Sequence, residues 1–229
     1  MTRSRIAPSR YRSRRKARRR VRLVATLVVA MSMALGAAAV LRGKTPATQT
    51  VAGTRTDAST PRDKWRAGEV PYLYQTDPQW ADHPYAGGTV RENGCGPTCL
   101  SMAYIALSGK SDLDPAAMAG FSEAQGYTTR GMTAWALMTE GAAELGLASE
   151  ELPADEGTVA AALRSGKAII CSVRPGDFTT TGHFIVLAGM DDNGGVIVRD
   201  PNSAERSART WDLERVLEQC ANLWALSAA

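Results

Sequence analysis

The sequence predicts an α+β domain, with N-terminal helices packed on an antiparallel sheet, behind a single membrane-spanning helix. Three observations carry this prediction. Residues 23–41, "LVATLVVAMSMALGAAAVL", hold no charge. Between residues 96 and 166, apolar side chains recur at helical spacing in segments that end in glycine. From residue 168 the period shortens to apolar runs rich in Ile and Val, "AIICSV", "HFIVLAGM" and "GVIVRD", the last two joined by the hairpin signal "DDNGG". Helices followed by strands, rather than alternating with them, are the pattern of the α+β class.

The N-terminal segments come first. Residues 1–22 carry ten Arg, one Lys and no acid, so the chain's net +4 leaves −7 for residues 23–229. The basic balance therefore belongs to the tail, and no basic face for nucleic acid is expected on the rest. The 19 residues of 23–41 would span about 28 Å as a helix, close to the roughly 30 Å hydrocarbon core. The arginine block should stay cytoplasmic, which places the C-terminal part outside the cell. A cleaved signal peptide is the rival, because Ala37-Ala38-Ala39 offers small residues for cleavage; it would make the protein secreted. The span exceeds the usual signal core of about 7–15 residues, which favours the anchor. Residues 42–68 are rich in Thr, Ala and charge and lack periodicity, the composition of a disordered stalk. Residues 69–229 are long enough for one domain with its own core.

Within that domain "VPYLYQ" (70–75) is a strand-like entry, and "TDPQWADHPYAGGT" (76–89) a turn-rich aromatic loop. A helix fits from Gly96, with Pro97 near its first position, Leu100, Ala103, Tyr104 and Leu107 at helical spacing, and Gly109 as stop. Asp114 and Pro115 open a second helix that ends at Gly126. Segments 133–146 and 155–166 predict two more, with Trp135 and Met138 as core residues of the first. Strands are expected at 168–173, 183–190 and 195–200, a short helix at 212–219, and a closing strand at "NLWALS".

The chain holds two histidines. His183 opens a strand, and the hairpin that follows returns to Asp200, so the two stand at the same end of one hairpin, where side chains can meet. Cys95 lies at a helix start, where the dipole and free N–H groups favour a thiolate. Together they have the parts of a nucleophile, a base and an orienting carboxylate. Each alone has a commoner structural explanation: a small buried hydrophobe, a strand-start histidine, a turn aspartate. Their order on these elements is what raises the functional one.

The stretches "VPYLYQTDPQW", "ENGCGPTCLSM", "GHFIVLAG" and "VRDPNS" resemble the papain-like cysteine peptidases related to the bacteriocin double-glycine-leader processing peptidases, over nearly all of 69–229. The resemblance implies a papain-like fold, with Cys95 as nucleophile, His183 as general base and acid, and Asp200 as orienting carboxylate. It implies Gln75 as oxyanion donor, although the spacing to Cys95 is longer than in the family; Gln79 and Asn93 are rivals, and Asn202 is a second partner for His183. The implied function is a membrane-anchored peptidase acting through an acyl-enzyme on a peptide or protein near the outer membrane face, with no metal or organic cofactor. The same scaffold allows acyl transfer, peptidoglycan amide hydrolysis, or idle binding of peptide or cell wall. Cys99 reads as packed on the sheet. A single C-x₃-C without a second pair is a weak metal or redox signal.

Overall fold

The computed structural model describes residues 58–229. The tail 1–22, the span 23–41 and residues 42–57 of the stalk lie outside the described residues. The expectation of a transmembrane helix, and with it the membrane as partner and the single-pass localisation with an extracellular domain, is corrected here. No helix among the described residues is long and apolar enough to cross a membrane. The longest has 14 residues, about 21 Å at about 1.5 Å per residue, against a hydrocarbon core of roughly 30 Å.

Residues 58–68, stalk by composition, pack against the domain. The Ser59 N–H donates to Asp77 Oδ2 at 3.1 Å, the Thr60 N–H to the Tyr72 carbonyl at 2.7 Å, and Trp65 joins the core. "VPYLYQ" forms no strand, yet Val70, Leu73, Tyr74 and Gln75 are buried. The aromatic loop carries a two-residue ladder, β1 (Pro84–Tyr85) with β2 (Gly88–Thr89). The short α1 (Val90–Asn93) follows, opened by a capping box of Thr89 and Glu92.

Helix α2 (Cys95–Ser108) buries every residue from Gly96 to Ala106. Apolar side chains on all sides make it the axis of the core rather than a surface helix. It stops at Gly109, whose φ of 71° is left-handed. Helix α3 (Pro115–Ala124) starts where Asp114 accepts the Ala117 N–H.

The helix expected over 133–146 is broken. Strands β3 (Thr128–Thr129) and β4 (Met132–Thr133) form a hairpin, a 3-10 turn covers Trp135–Met138, and α4 (Glu140–Glu144) follows. Hairpin pairing claims Met132 and Thr133, and at Thr139 the backbone leaves helical geometry with ψ at −82°; threonine's branched, hydrogen-bonding side chain weakens helix here.

Strand β5 (Leu147–Glu151) precedes α5 (Glu156–Arg164), which Asp155 caps. Then come β6 (Ala168–Val173), β7 (His183–Met190), β8 (Val196–Arg199), α6 (Ala204–Ser207), β9 (Thr210–Trp211), α7 (Leu213–Leu217) and β10 (Cys220–Ala228). Six strands make one antiparallel sheet in the order β5-β10-β6-β7-β8-β9. Alternation along its strands divides two apolar clusters. Ile170, Phe184, Val186 and Trp224 join α2 in one, while Ile169, Cys171, Ile185 and Leu187 join α5 and α7 in the other.

Candidate active site

The site lies where the start of α2 meets the start of β7. An open groove of about 720 Å³ is lined by Asn93, Cys95, Thr133, Trp135, His183 and Phe184, among others. Cys95 is partly exposed, whereas Cys99, Cys171 and Cys220 are buried. All four are free thiols.

Close packing sets the position of Cys95. A Cβ on the next residue, Gly96, would stand 2.6 Å from the Thr133 side chain, so only glycine lets the groove wall approach the helix start this closely. Thr133 is itself held: its Oγ1 bonds the Tyr85 hydroxyl at 2.9 Å, and that hydroxyl bonds Ser122 Oγ at 3.0 Å. The wall above this network carries Met132 and Trp135, the exposed large hydrophobics at 60% and 48%. Trp135 was expected in the core. The 3-10 turn instead aims it outward, edge-on to buried Trp224 at 5.4 Å between ring centroids. Met138, on the same turn, is fully buried, as its spacing predicted.

His183 pairs with Val173 across the sheet, and its Nε2 meets Asp200 Oδ1 at 2.8 Å. Both residues are buried, Asp200 to 1% exposure. With Nε2 engaged, Nδ1 is the ring nitrogen left for Cys95. Burial pushes the imidazole pKa down, but the hydrogen bonds to Asp200 and Cys95 and their charges outweigh it and raise it to about 9. Burial likewise pushes the Asp200 carboxyl up; the His183 hydrogen bond and charge, Arg206 and the Asn202 N–H overcome it, leaving the pKa below its ordinary value. The Cys99 thiol is driven well up, chiefly by burial, as for a packed side chain.

The other candidates are dispersed. Gln75 is buried, but its amide nitrogen donates to the carbonyls of Arg91 at 2.7 Å and Val90 at 3.4 Å, and its Oε1 has no partner. Gln79 bonds Asp77. Asn93 lines the groove, although its Nδ2 donates to the carbonyls of Tyr85 and Ala86. Asn202 is exposed and offers Asp200 only its backbone N–H, at 2.8 Å. His83, the other histidine, is exposed and stands beside Gly120. Among the described residues, no group of three or more His, Cys, Asp or Glu could hold a metal ion.

Arg206 is the site residue that sequence reasoning missed. Its Nε donates to Asp200 Oδ2 at 2.5 Å. The available signal was chemical: a buried aspartate needs a cation, and Arg206 is close along the chain.

Comparison with known proteins agrees with the resemblance carried by "GCGPT", "GHFIVL" and "DPNS". The Peptidase_C39 like family matches residues 68–228. No curated protein matches the chain. Among solved structures, the peptidase domain of Streptococcus ComA, a bi-functional ABC transporter involved in a quorum sensing pathway, is similar at 21% identity and a TM-score of 0.45. That match covers 60% of this chain and 93% of the other.

Proposed function

Since the chain belongs to the Peptidase_C39 like family, we propose that it is a cysteine hydrolase acting on peptide or amide bonds through Cys95, His183 and Asp200. His183 takes the Cys95 proton, and the thiolate attacks the carbonyl carbon to give a tetrahedral oxyanion. Collapse expels the amine, which His183 protonates, and leaves an acyl-enzyme on Cys95. Water, deprotonated by His183, then releases the acid and restores the thiol. Asp200 holds the ring so that Nδ1 faces the sulfur. The backbone N–H of Cys95, in the first turn of α2, is the oxyanion donor nearest the chemistry. Gln75 would contribute only by releasing the Arg91 carbonyl.

The observation that carries this function is one partly exposed thiol sharing a groove with a buried imidazole that is already fixed by a carboxylate. The groove supplies the substrate class: its exposed Met132 and Trp135 suit a peptide with a large apolar side chain near the scissile bond. Iodoacetamide at pH 6 should modify Cys95 first, and an irreversible thiol-directed peptide probe should label it. Modification of Cys99 or Cys171 ahead of Cys95 would sink the assignment.

A second function is favoured by Gln75. With its amide spent on α1 carbonyls, the oxyanion side is sparse, which suits slow acyl transfer, amide exchange or simple peptide binding on the same scaffold. Pre-steady-state kinetics separate these. A burst of acyl-enzyme that partitions to an added amine marks a transferase, one that partitions to water marks a hydrolase, and tight binding without a burst marks a binding domain.

A further inference from the structure

Asp200 is held from two sides. Its Oδ1 accepts from His183 Nε2 and the Asn202 N–H, each at 2.8 Å, and its Oδ2 accepts from Arg206 Nε at 2.5 Å. The carboxylate is fully buried, and the Arg206 side chain is 26% exposed. We infer that Arg206 is a positioning residue for this site: it fixes the second oxygen so that the first points at His183, and its permanent charge limits how tightly His183 keeps a proton. The inference rests on the proposed function of the site for its relevance to turnover, but not for its geometry.

The local chain is built to bring this arginine back. Ser203 Oγ accepts the Arg206 N–H at 3.1 Å and starts the four-residue α6. Ser207 Oγ accepts the Asp200 N–H at 2.8 Å and donates to the Ser203 carbonyl at 2.8 Å. The turn from 200 to 207 is thereby closed on itself, and the Arg206 guanidinium is returned to the aspartate six residues earlier. The neighbouring basic residues do not share this task. Arg199 lies over the Tyr72 ring at 3.8 Å and Arg209 over the Trp211 ring at 3.7 Å.

The electrostatic consequence has a definite sign. A buried carboxylate facing only an imidazole would hold imidazolium strongly. One already paired with a guanidinium has part of its field cancelled, so the imidazole gives up its proton more readily. The charged and titratable groups facing His183 are Asp200 and Cys95, with Glu92 on the groove rim. Those facing Asp200 are His183 and Arg206, with the buried Cys99 thiol close enough to feel its charge. Removing the guanidinium leaves Asp200 unopposed and must raise the His183 midpoint.

Two histidines in the chain, one exposed and one buried, allow their ring resonances to be followed separately by NMR against pH. Arg206→Met removes charge and hydrogen bond, and Arg206→Gln removes the charge but keeps a donor for Oδ2. Both should raise the His183 midpoint by about 0.5–1 pH unit, less than a directly bonded charge would. Arg206→Lys should leave the midpoint near that of the native protein. If native substrate turnover is measurable, the basic limb of kcat/KM should move by the same amount as the His183 midpoint. A folded Arg206→Gln with an unmoved or lowered His183 midpoint overturns the inference, and so does a Lys variant that shifts as far as Gln. The titration needs no substrate, so a native protein that proves inactive would defeat the proposed function while leaving this test intact.

Discussion

The two flanks of the groove are built in opposite ways. On the sheet side, buried His183, Asp200 and Ser207 and half-buried Arg206 form a chain in which both carboxylate oxygens are hydrogen-bonded. On the helix side, position comes from packing: Gly96 against Thr133, Tyr85 beneath, and Met132 and Trp135 left in solvent. Among the described residues, the buried polar atoms without partners stand outside the His183–Asp200–Arg206 chain: Gln75 Oε1, Thr98 Oγ1 and Trp224 Nε1. The contrast teaches where precision is needed. A group that must hold and pass a proton requires fixed dipoles in a dry place, because a buried charge without partners costs several kcal/mol. A surface that must admit varied side chains needs exposed apolar area instead.

Breaking the ordered flank should have the largest effect. His183→Ala should lower kcat/KM by about 10³-fold or more while circular dichroism and thermal melting report an intact fold. Asp200→Ala should do worse for folding, by about 3–5 kcal/mol in denaturant titration, since it strands Arg206 beside a buried imidazole. Asp200→Asn should cost less on both counts, because the amide still orients the ring. Full activity in His183→Ala would remove the chemical assignment of this flank.

The looser flank is tested by Gln75→Ala. Loss of a working oxyanion donor costs about 10²-fold in kcat. From its hydrogen bonds to Arg91 and Val90, the expected outcome is a stability loss of about 1–3 kcal/mol with kcat changed by only a few-fold. A hundredfold fall in kcat at unchanged stability would mean that the amide turns toward the substrate during the reaction.

The pH dependence sharpens the comparison, because it reports the imidazole of the ordered flank together with the Cys95 group facing it. If the active form pairs a thiolate with imidazolium, kcat/KM should fall as pH rises through about 9, where His183 loses its proton. The same group contributes to stability: its folded pKa is raised, so the contribution is fully present below the ordinary histidine value of about 6.5 and is lost as pH rises through about 9. Asp200 acts with the opposite sign. Its contribution is present above the ordinary carboxylate value and is lost as pH falls through its depressed one. A basic limb near pH 7 would show that the Asp200–His183 bond does not hold the proton.

The smallest effect belongs to the groove wall. Trp135→Ala should raise KM about five- to tenfold for peptides with a large apolar side chain, on the order of 1 kcal/mol of lost contact, and leave kcat and small-residue peptides nearly unchanged. An equal loss for all peptides would make Trp135 a support for Trp224 rather than a contact for substrate.

Much of the fold was legible from local pattern. Strands 168–173 and 183–190 begin and end where the apolar runs do, and Asp114, Asp155, Gly109 and the "DDNGG" turn mark element ends through their own side-chain or backbone chemistry. The meeting of His183 and Asp200 at one end of a hairpin was legible too, because the turn sets which strand ends come together, although a bulge between Leu187 and Gly189 shifts the register. What local pattern could not supply were features decided by distant partners. "LASEE" becomes a strand only because β10, the last strand in the chain, lies beside it. Residues 133–146 have helical spacing but give way to a hairpin and a 3-10 turn, which sends Trp135 into the groove instead of the core. Residues 58–68 have a stalk's composition, yet Trp65 finds a pocket. The sequence by itself determined the α+β class and the order of the chemical groups, since caps, turns and hydrophobic period act within a few residues. Only the tertiary structure decided that Arg206 shares Asp200 with His183 and that Gln75 faces the carbonyls of α1, because a buried polar group takes whatever partner packing brings within about 3 Å.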